Sequence, residues 1–251
     1  MILPGSYANG FAPRDGQPLY PELWRGCVFA AAPCLGVTGL TLREWSGQGN
    51  QLVLTNGPTW GTISGKYAIR FDGTDDYMLC SKTMSFDGDF TVSANVQFAT
   101  FAGNQIIVSE TPVGNTLIGT LSSSTVISVR GSGFNLRSFT VPTLVANKSY
   151  EITLSRANGN LRLYVNGTES TTGSIADTAT FVFTNIGYAF TPASGIEGII
   201  SQLQMWSRPL QNNAITLLAS RLGIAYEMAP RRRASSAVQF NRRRRLLLGS
   251  T

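Results

Sequence analysis

Carboxylates, aromatic rings and arginines are the side chains of this sequence whose types and spacing could do chemistry. Cleaving a glycosidic bond needs two carboxyl groups held about 5–10 Å apart across the sugar. The densest acids here, Asp75-Asp76 and Asp87-Gly88-Asp89, fall in turn-forming segments. Asp72, Asp75 and Asp76 admit two readings. They are turn formers, with Asp72-Gly73 making a tight turn and Asp76 capping the loop, or they are calcium ligands, because hard cations take several oxygens from loop carboxylates and carbonyls. Sugar binding would use an aromatic ring stacked on a pyranose face. Trp45, Trp60, Tyr77, Tyr188 and Trp206 are the rings to weigh. Large aromatics also dominate sandwich cores, and Trp206, at the end of a strand pattern, reads as core. Trp45 and Trp60, both read as loop residues, and Tyr77 are the sugar-binding candidates.

Other chemistry is excluded by composition. The chain has no histidine, which removes a Ser-His-Asp unit, a His-ligated zinc and a histidine pH switch. Cys27, Cys34 and Cys80 have no metal-ligand spacing. They read as buried free thiols, the alternative being a Cys27–Cys34 bridge with one thiol left over.

The arginines are concentrated at one end. Residues 221–251 hold eight arginines and one glutamate, a net +7 that leaves residues 1–220 at −1 within a total of +6. The pI near 9.5 therefore describes a tail and not a basic body. Arg231, Arg232, Arg233, Arg242, Arg243, Arg244 and Arg245 form two clusters around a small-residue spacer. They could release counterions from nucleic acid, but they lack the interleaved aromatics of single-strand binders. Docking onto an acidic protein surface is the favoured reading. Exposed ion pairs are worth only about 0–1 kcal/mol each, so such an arm holds best where a repeating assembly multiplies it.

The elements that must position these groups are strands. Charged residues make up 14% of the chain, against roughly 25% in typical soluble proteins, so the surface is polar but nearly uncharged. The hairpin 150–167 has alternating arms around Asn158-Gly159, which supply the positive φ of a tight primed turn. Its outward residues Arg162, Tyr164 and Asn166 could meet a neighbour. In 89–98, Phe90, Val92, Ala94, Val96 and Phe98 alternate with Thr91, Ser93, Asn95 and Gln97, predicting one core face and one wet face. Further strands are predicted at 24–32, at the end of 40–56, from 66 to a turn at Asp72-Gly73 and on to 80, and at 105–110, 116–121, 125–130, 135–141, 181–188 and 198–206, a dozen or so in all, fitting two packed antiparallel sheets. One helix is predicted, opened by Ser207-Arg208-Pro209 and ending near Gly223. Pro4, Pro13, Pro18 and Pro21 make residues 1–24 an extended lead-in without helix. The opening MILPGSYANG lacks the basic and apolar regions of an export signal, and no run approaches about 20 apolar residues. Neither export by that route nor a membrane partner is expected.

Five segments in this order, WSGQGNQLVLTNGPTWG, GKYAIRFDGTDDY, GDFTVSANVQF, NGNLRLYVNGT and IEGIISQLQMWSRPLQNNAI, resemble the laminin-G-like branch of the concanavalin A-like lectin/glucanase superfamily. The resemblance implies an all-β, two-sheet antiparallel jelly-roll sandwich with one short C-terminal helix and extended terminal arms. The expected organisation is an N-terminal arm 1–22, a jelly-roll domain 23–222 and an arginine-rich anchoring tail 223–251. Glucanases of the superfamily carry Glu-x-Asp-x-x-Glu on one strand. No glutamate here is followed two residues later by aspartate, so no catalytic residues are expected and no cofactor beyond calcium. The flanks are similar to those of lectin-like proteins encoded among the virion genes of tailed phages. That likeness implies a virion surface protein, assembled in the host cytoplasm, that decorates a capsid or tail in many copies or as a homo-oligomer. Its partners would be a major capsid or tail protein and a host glycan. The alternatives are a carbohydrate-binding module of a bacterial surface protein and, third, nucleic-acid binding through the tail.

Overall fold

Alternating apolar residues every second position commit a strand to burying one face, and enough such strands close into two facing sheets. The computed structural model describes residues 20–33, 39–63, 65–110, 116–188 and 194–220. Within them the strands are, in chain order, β1 Cys27–Ala31, β2 Thr41–Arg43, β3 Gln51–Thr55, β4 Thr59–Ile63, β5 Lys66–Asp72 and β6 Tyr77–Phe86. Next come β7 Phe90–Phe98, β8 Asn104–Ser109, β9 Leu117–Leu121, β10 Val126–Arg130, β11 Leu136–Thr140 and β12 Ser149–Ala157. The last are β13 Asn160–Val165, β14 Thr168–Glu169, β15 Ile175–Ala176, β16 Phe181–Ile186 and β17 Glu197–Trp206. The nine-stranded sheet runs β14-β13-β12-β7-β17-β5-β4, with β1 added on β17 and β15 on β13. The eight-stranded sheet runs β11-β10-β9-β8-β16-β6-β3-β2, and every pairing is antiparallel. This is the pair of antiparallel sheets that the strand pattern predicted, packed as the sandwich that the resemblance implied.

The inner faces meet in one apolar core. Phe90, Val92, Ala94, Val96 and Phe98 of β7 face Phe181, Phe183 and Ile186 of β16 and Met78, Met84 and Phe86 of β6. The β12–β13 hairpin turns at Asn158 and Gly159, with φ of 51° and 71°, and pairs Ile152 with Val165 through Ala157 with Asn160. One inward position of β12 carries a cation. Arg156, paired with Phe90 of β7, is 1% exposed. Its Nε donates to Gly88 O at 2.8 Å and its second amino nitrogen to Phe86 O at 3.0 Å, while the first reaches Ala179 O. The guanidinium lies 4.9 Å from the centre of the Phe90 ring and 5.5 Å from that of Phe181. It closes one end of the core by tying two loop carbonyls and the last carbonyl of β6 to a charge.

Four local expectations need correction. A four-residue helix, α1 Pro21–Trp24, precedes β1, because proline suits the first turn of a helix, where its missing N–H costs nothing; the first strand accordingly starts at Cys27. The other helix, α2, spans Asn212–Ser220 and does not open at Pro209. Leu210 N instead donates to Thr91 Oγ1, which donates to Arg208 O, pinning that stretch to the sheet before the helix starts. β4 fills residues read as loop. Finally, the polar face of β7 is enclosed and not wet: Thr91, Ser93 and Asn95 are at most 2% exposed. On that outer face Leu23 and Trp24 of α1 and Ala214, Ile215 and Leu218 of α2 form a second apolar cluster with Trp206 and Tyr164. Cys27 and Cys80 are buried free thiols, both pushed up to about 12 first of all by burial. Cys34, Leu222, residues 1–19 and the tail from 221 onward lie outside the described residues.

Candidate functional site

β5 ends at Asp72 and β6 begins at Tyr77, and the turn between them carries the acids. Gly73, at φ 82°, supplies the left-handed conformation, and a Cβ there would come within 2.8 Å of the Glu197 side chain. Asp72 Oδ1 accepts from Thr74 N at 2.8 Å and Asp76 Oδ2 from Asp72 N at 2.9 Å. These are the turn bonds that aspartate forms with its own backbone. They also leave ligand atoms of Asp72, Asp75 and Asp76 all within 4.8 Å of one another. Asp76 is buried, and burial raises its pKa, with the Asp72 and Asp75 charges adding to the rise and the Asp72 N–H opposing it. Glu197, paired across the ladder with Asp72, brings a fourth carboxylate to the same end. Asn56 Nδ2 donates to Asp75 O at 3.2 Å, tying the β3–β4 turn to the acid turn. Concentrated oxygens on a rigid turn suit a hard divalent cation, which would relieve the mutual repulsion.

Beside this turn stands an aromatic pair. Tyr77 stacks on Tyr188 with ring centres 5.8 Å apart and planes 26° from parallel. Tyr188 is held by a bridge to Gly195, and its carbonyl accepts from Ser109 Oγ. Leu79 follows Tyr77 on the same face of β6 and pairs with Val53, each 41% exposed. The result is an apolar and aromatic strip on the outer face of the eight-stranded sheet, ending at the carboxylates.

The other rings go elsewhere. Trp60 stands on β4, paired with Ile69, half-buried against the main core, and its Nε1 donates to Gly39 O at 3.0 Å. Trp45 is half-buried against the cluster beneath α1 and α2. Trp206 is fully buried, Nε1 donating to Leu23 O at 2.7 Å. Of the three candidate rings, Tyr77 alone joins the acids. The seven arginines of the two clusters lie outside the described residues.

The sequence pattern did not reveal Glu151. It projects from β12 into the polar layer on the outer face of the nine-stranded sheet and is 3% exposed. Ser93 Oγ donates to its Oε1 at 2.7 Å and Gln202 Nε2 to its Oε2 at 3.2 Å. Asn95 accepts from Ser201 Oγ at 2.6 Å alongside. Burial pushes the Glu151 carboxyl up to about 7, against the hydrogen bonds from Ser93, Asn95 and Gln202. Gln202 Oε1 has no partner. With the Gln202 amide turned over, a protonated Glu151 would donate to that oxygen.

A family model described as the concanavalin A-like lectin/glucanases superfamily matches residues 72–216. No curated protein matches the sequence. Among solved structures, the binding domain of the Paraclostridial mosquitocidal protein 1 is similar at 15% identity and a TM-score of 0.56, over 78% of this chain and 52% of that one. The binding domain of botulinum neurotoxin DC, solved with rat synaptotagmin II, is similar at 14% identity and 0.58, over 79% and 52%. Trypanosoma rangeli sialidase is similar at 13% identity and 0.59, over 83% and 34%. This chain thus spans about half of the toxin domains and a third of the sialidase, and at such identities the likeness is one of fold.

Proposed function

Because the chain belongs to the concanavalin A-like lectin/glucanases superfamily, we propose that it is a non-enzymatic glycan-recognition module of a virion surface protein, binding sugar at its aromatic and acidic end. One observation carries the sugar reading: the Tyr77–Tyr188 pair lies beside three carboxylates whose ligand atoms gather within 4.8 Å. An aromatic face takes the C–H face of a pyranose, and calcium held by Asp72, Asp75 and Asp76 would order the turn beside it. The non-enzymatic reading is supported by the missing Glu-x-Asp-x-x-Glu pattern and by the enclosure of Glu151, which meets hydroxyl and amide groups. Calcium at millimolar concentration should raise the melting temperature by several degrees, and Asp76→Asn should remove that rise. No shift in the wild type would sink the calcium assignment.

The virion role rests on the charge distribution. A body at −1 joined to a tail at +7 suits a domain displayed outward and anchored by Arg231–Arg233 and Arg242–Arg245 on an acidic neighbour. Deleting 229–251 should abolish co-sedimentation with particles while leaving the melting temperature of the sandwich unchanged. A truncated chain that still assembles would contradict the anchoring role. Clear sugar affinity without particle association would favour a bacterial surface module, and a gel shift falling steeply with salt would favour nucleic acid.

A further inference from the structure

A concavity lies on the outer face of the nine-stranded sheet, between the tip of the β12–β13 hairpin and the start of α2. It is a cleft of about 650 Å³ lined by Ser155, Asn158, Arg162, Tyr164, Leu210 and Gln211 among others, within the range of about 300–1,000 Å³ usual for ligand clefts. Both walls are fixed. Leu210 N donates to Thr91 Oγ1, which also contacts Ser155 Oγ at 3.1 Å, so the segment leading to α2 is tied to the sheet. Tyr164 OH reaches Asn212 Oδ1 at 3.4 Å, tying the first residue of α2 to β13.

The lining chemistry is specific. Pro209 and Leu210 give an apolar floor, Asn158, Gln211, Asn212 and Asn213 give amides that both donate and accept, and Arg162 gives the cation. Arg162 uses one amino nitrogen on Glu169, at 3.0 and 3.1 Å from its two oxygens. The Arg162 side chain also hydrogen-bonds Tyr164, and because a guanidinium has five N–H donors in a planar fork, the donors beyond these two partners are the ones a ligand carboxylate takes. Sugar hydroxyls pair with amides, a pyranose C–H face lies on an apolar floor, and Arg162, already paired with Glu169, meets a ligand carboxylate through its remaining N–H groups.

We infer that this cleft is a binding site for a carboxylated saccharide, with Arg162 taking the carboxylate and Gln211 and Asn158 the hydroxyls. The inference rests on the glycan-binding reading but places a second site apart from Tyr77. The test is calorimetric titration of the full chain with 3′-sialyllactose and with a tetragalacturonate, and with lactose as the uncharged control. The wild type should bind at least one acidic probe more tightly than lactose. Arg162→Ala should weaken that binding at least tenfold and Gln211→Ala about threefold. Arg162 and Gln211 are exposed, so both variants should melt as the wild type does. If both bind the acidic probe like the wild type, or if the wild type binds neither probe, the inference is overturned. The glycan reading is then judged separately by neutral glycans at Tyr77.

Discussion

Replacing Arg156 with methionine should lower the unfolding free energy by about 3–5 kcal/mol, although methionine nearly matches the length and apolar volume of the arginine stem. The loss comes from the partners left behind. Gly88 O, Phe86 O and Ala179 O accept from the guanidinium in a region where Arg156 is 1% exposed. A buried acceptor left without its donor costs about 1–3 kcal/mol, and bonds to a charged group are the stronger kind. The Phe90 and Phe181 rings lose their cation as well, each such contact being worth about 0.5–2 kcal/mol. Arg156→Lys should recover only part of the loss, because an ammonium cannot span three carbonyls that the planar fork reaches together. Urea denaturation reads the effect as a lower midpoint at an unchanged slope. A loss below 1 kcal/mol for Arg156→Met would mean that the carbonyls find water and the arginine is not the closure of that end.

The second large effect is a pH dependence that Glu151 writes into the stability of the sandwich. Its carboxyl titrates near the ordinary 4.5 in the unfolded chain and is pushed up to about 7 in the fold. Below pH 4.5 both states hold the proton and the contribution is complete. Between 4.5 and 7 the unfolded chain releases its proton while the folded one keeps it, so stability falls as pH rises, by about 1.4 kcal/mol per unit within that window. Above 7 the loss, about 3 kcal/mol in all, is finished. Glu151→Gln has no proton to lose, and its amide can face Ser93, whose hydroxyl can then donate to Thr153 Oγ1. Melting curves from pH 4 to 8 should therefore flatten in the variant and cross above the wild type near neutrality. Glu44 and Asp76, whose carboxyls are also raised by burial, tilt the wild type in the same direction, so the difference between the two proteins isolates Glu151. Parallel curves would contradict the assignment.

How far the sequence carried depends on whether a signal was local. The alternation of β7 and the Asn158-Gly159 turn are properties of a few consecutive residues, and both were legible. β4 was not: TWGTI contains Gly61, follows Pro58 and alternates weakly, as an edge strand can. Thr91, Ser93 and Asn95 read as wet because their polarity is local, whereas α1 and α2, which pack on that face, come from either end of the domain. Arg156 meets carbonyls 68, 70 and 23 positions away, and no window of sequence shows such a meeting. The acids at 72, 75 and 76 were legible as a cluster because one turn holds them. Their aromatic neighbour was half legible: Tyr77 adjoins them in sequence, but its stacking partner Tyr188 arrives from 111 residues further on.

Sugar recognition is proposed for the Tyr77–Tyr188 end of the sandwich. Binding of the full chain to an array of neutral glycans in calcium tests it most directly, with Tyr77→Ala measured in parallel. The wild type should bind defined neutral glycans and the variant should bind them roughly tenfold more weakly, the loss of about 1.4 kcal/mol that one stacking ring supplies. A wild type that binds no neutral glycan, or a Tyr77→Ala chain that binds the same glycans equally well, would contradict it.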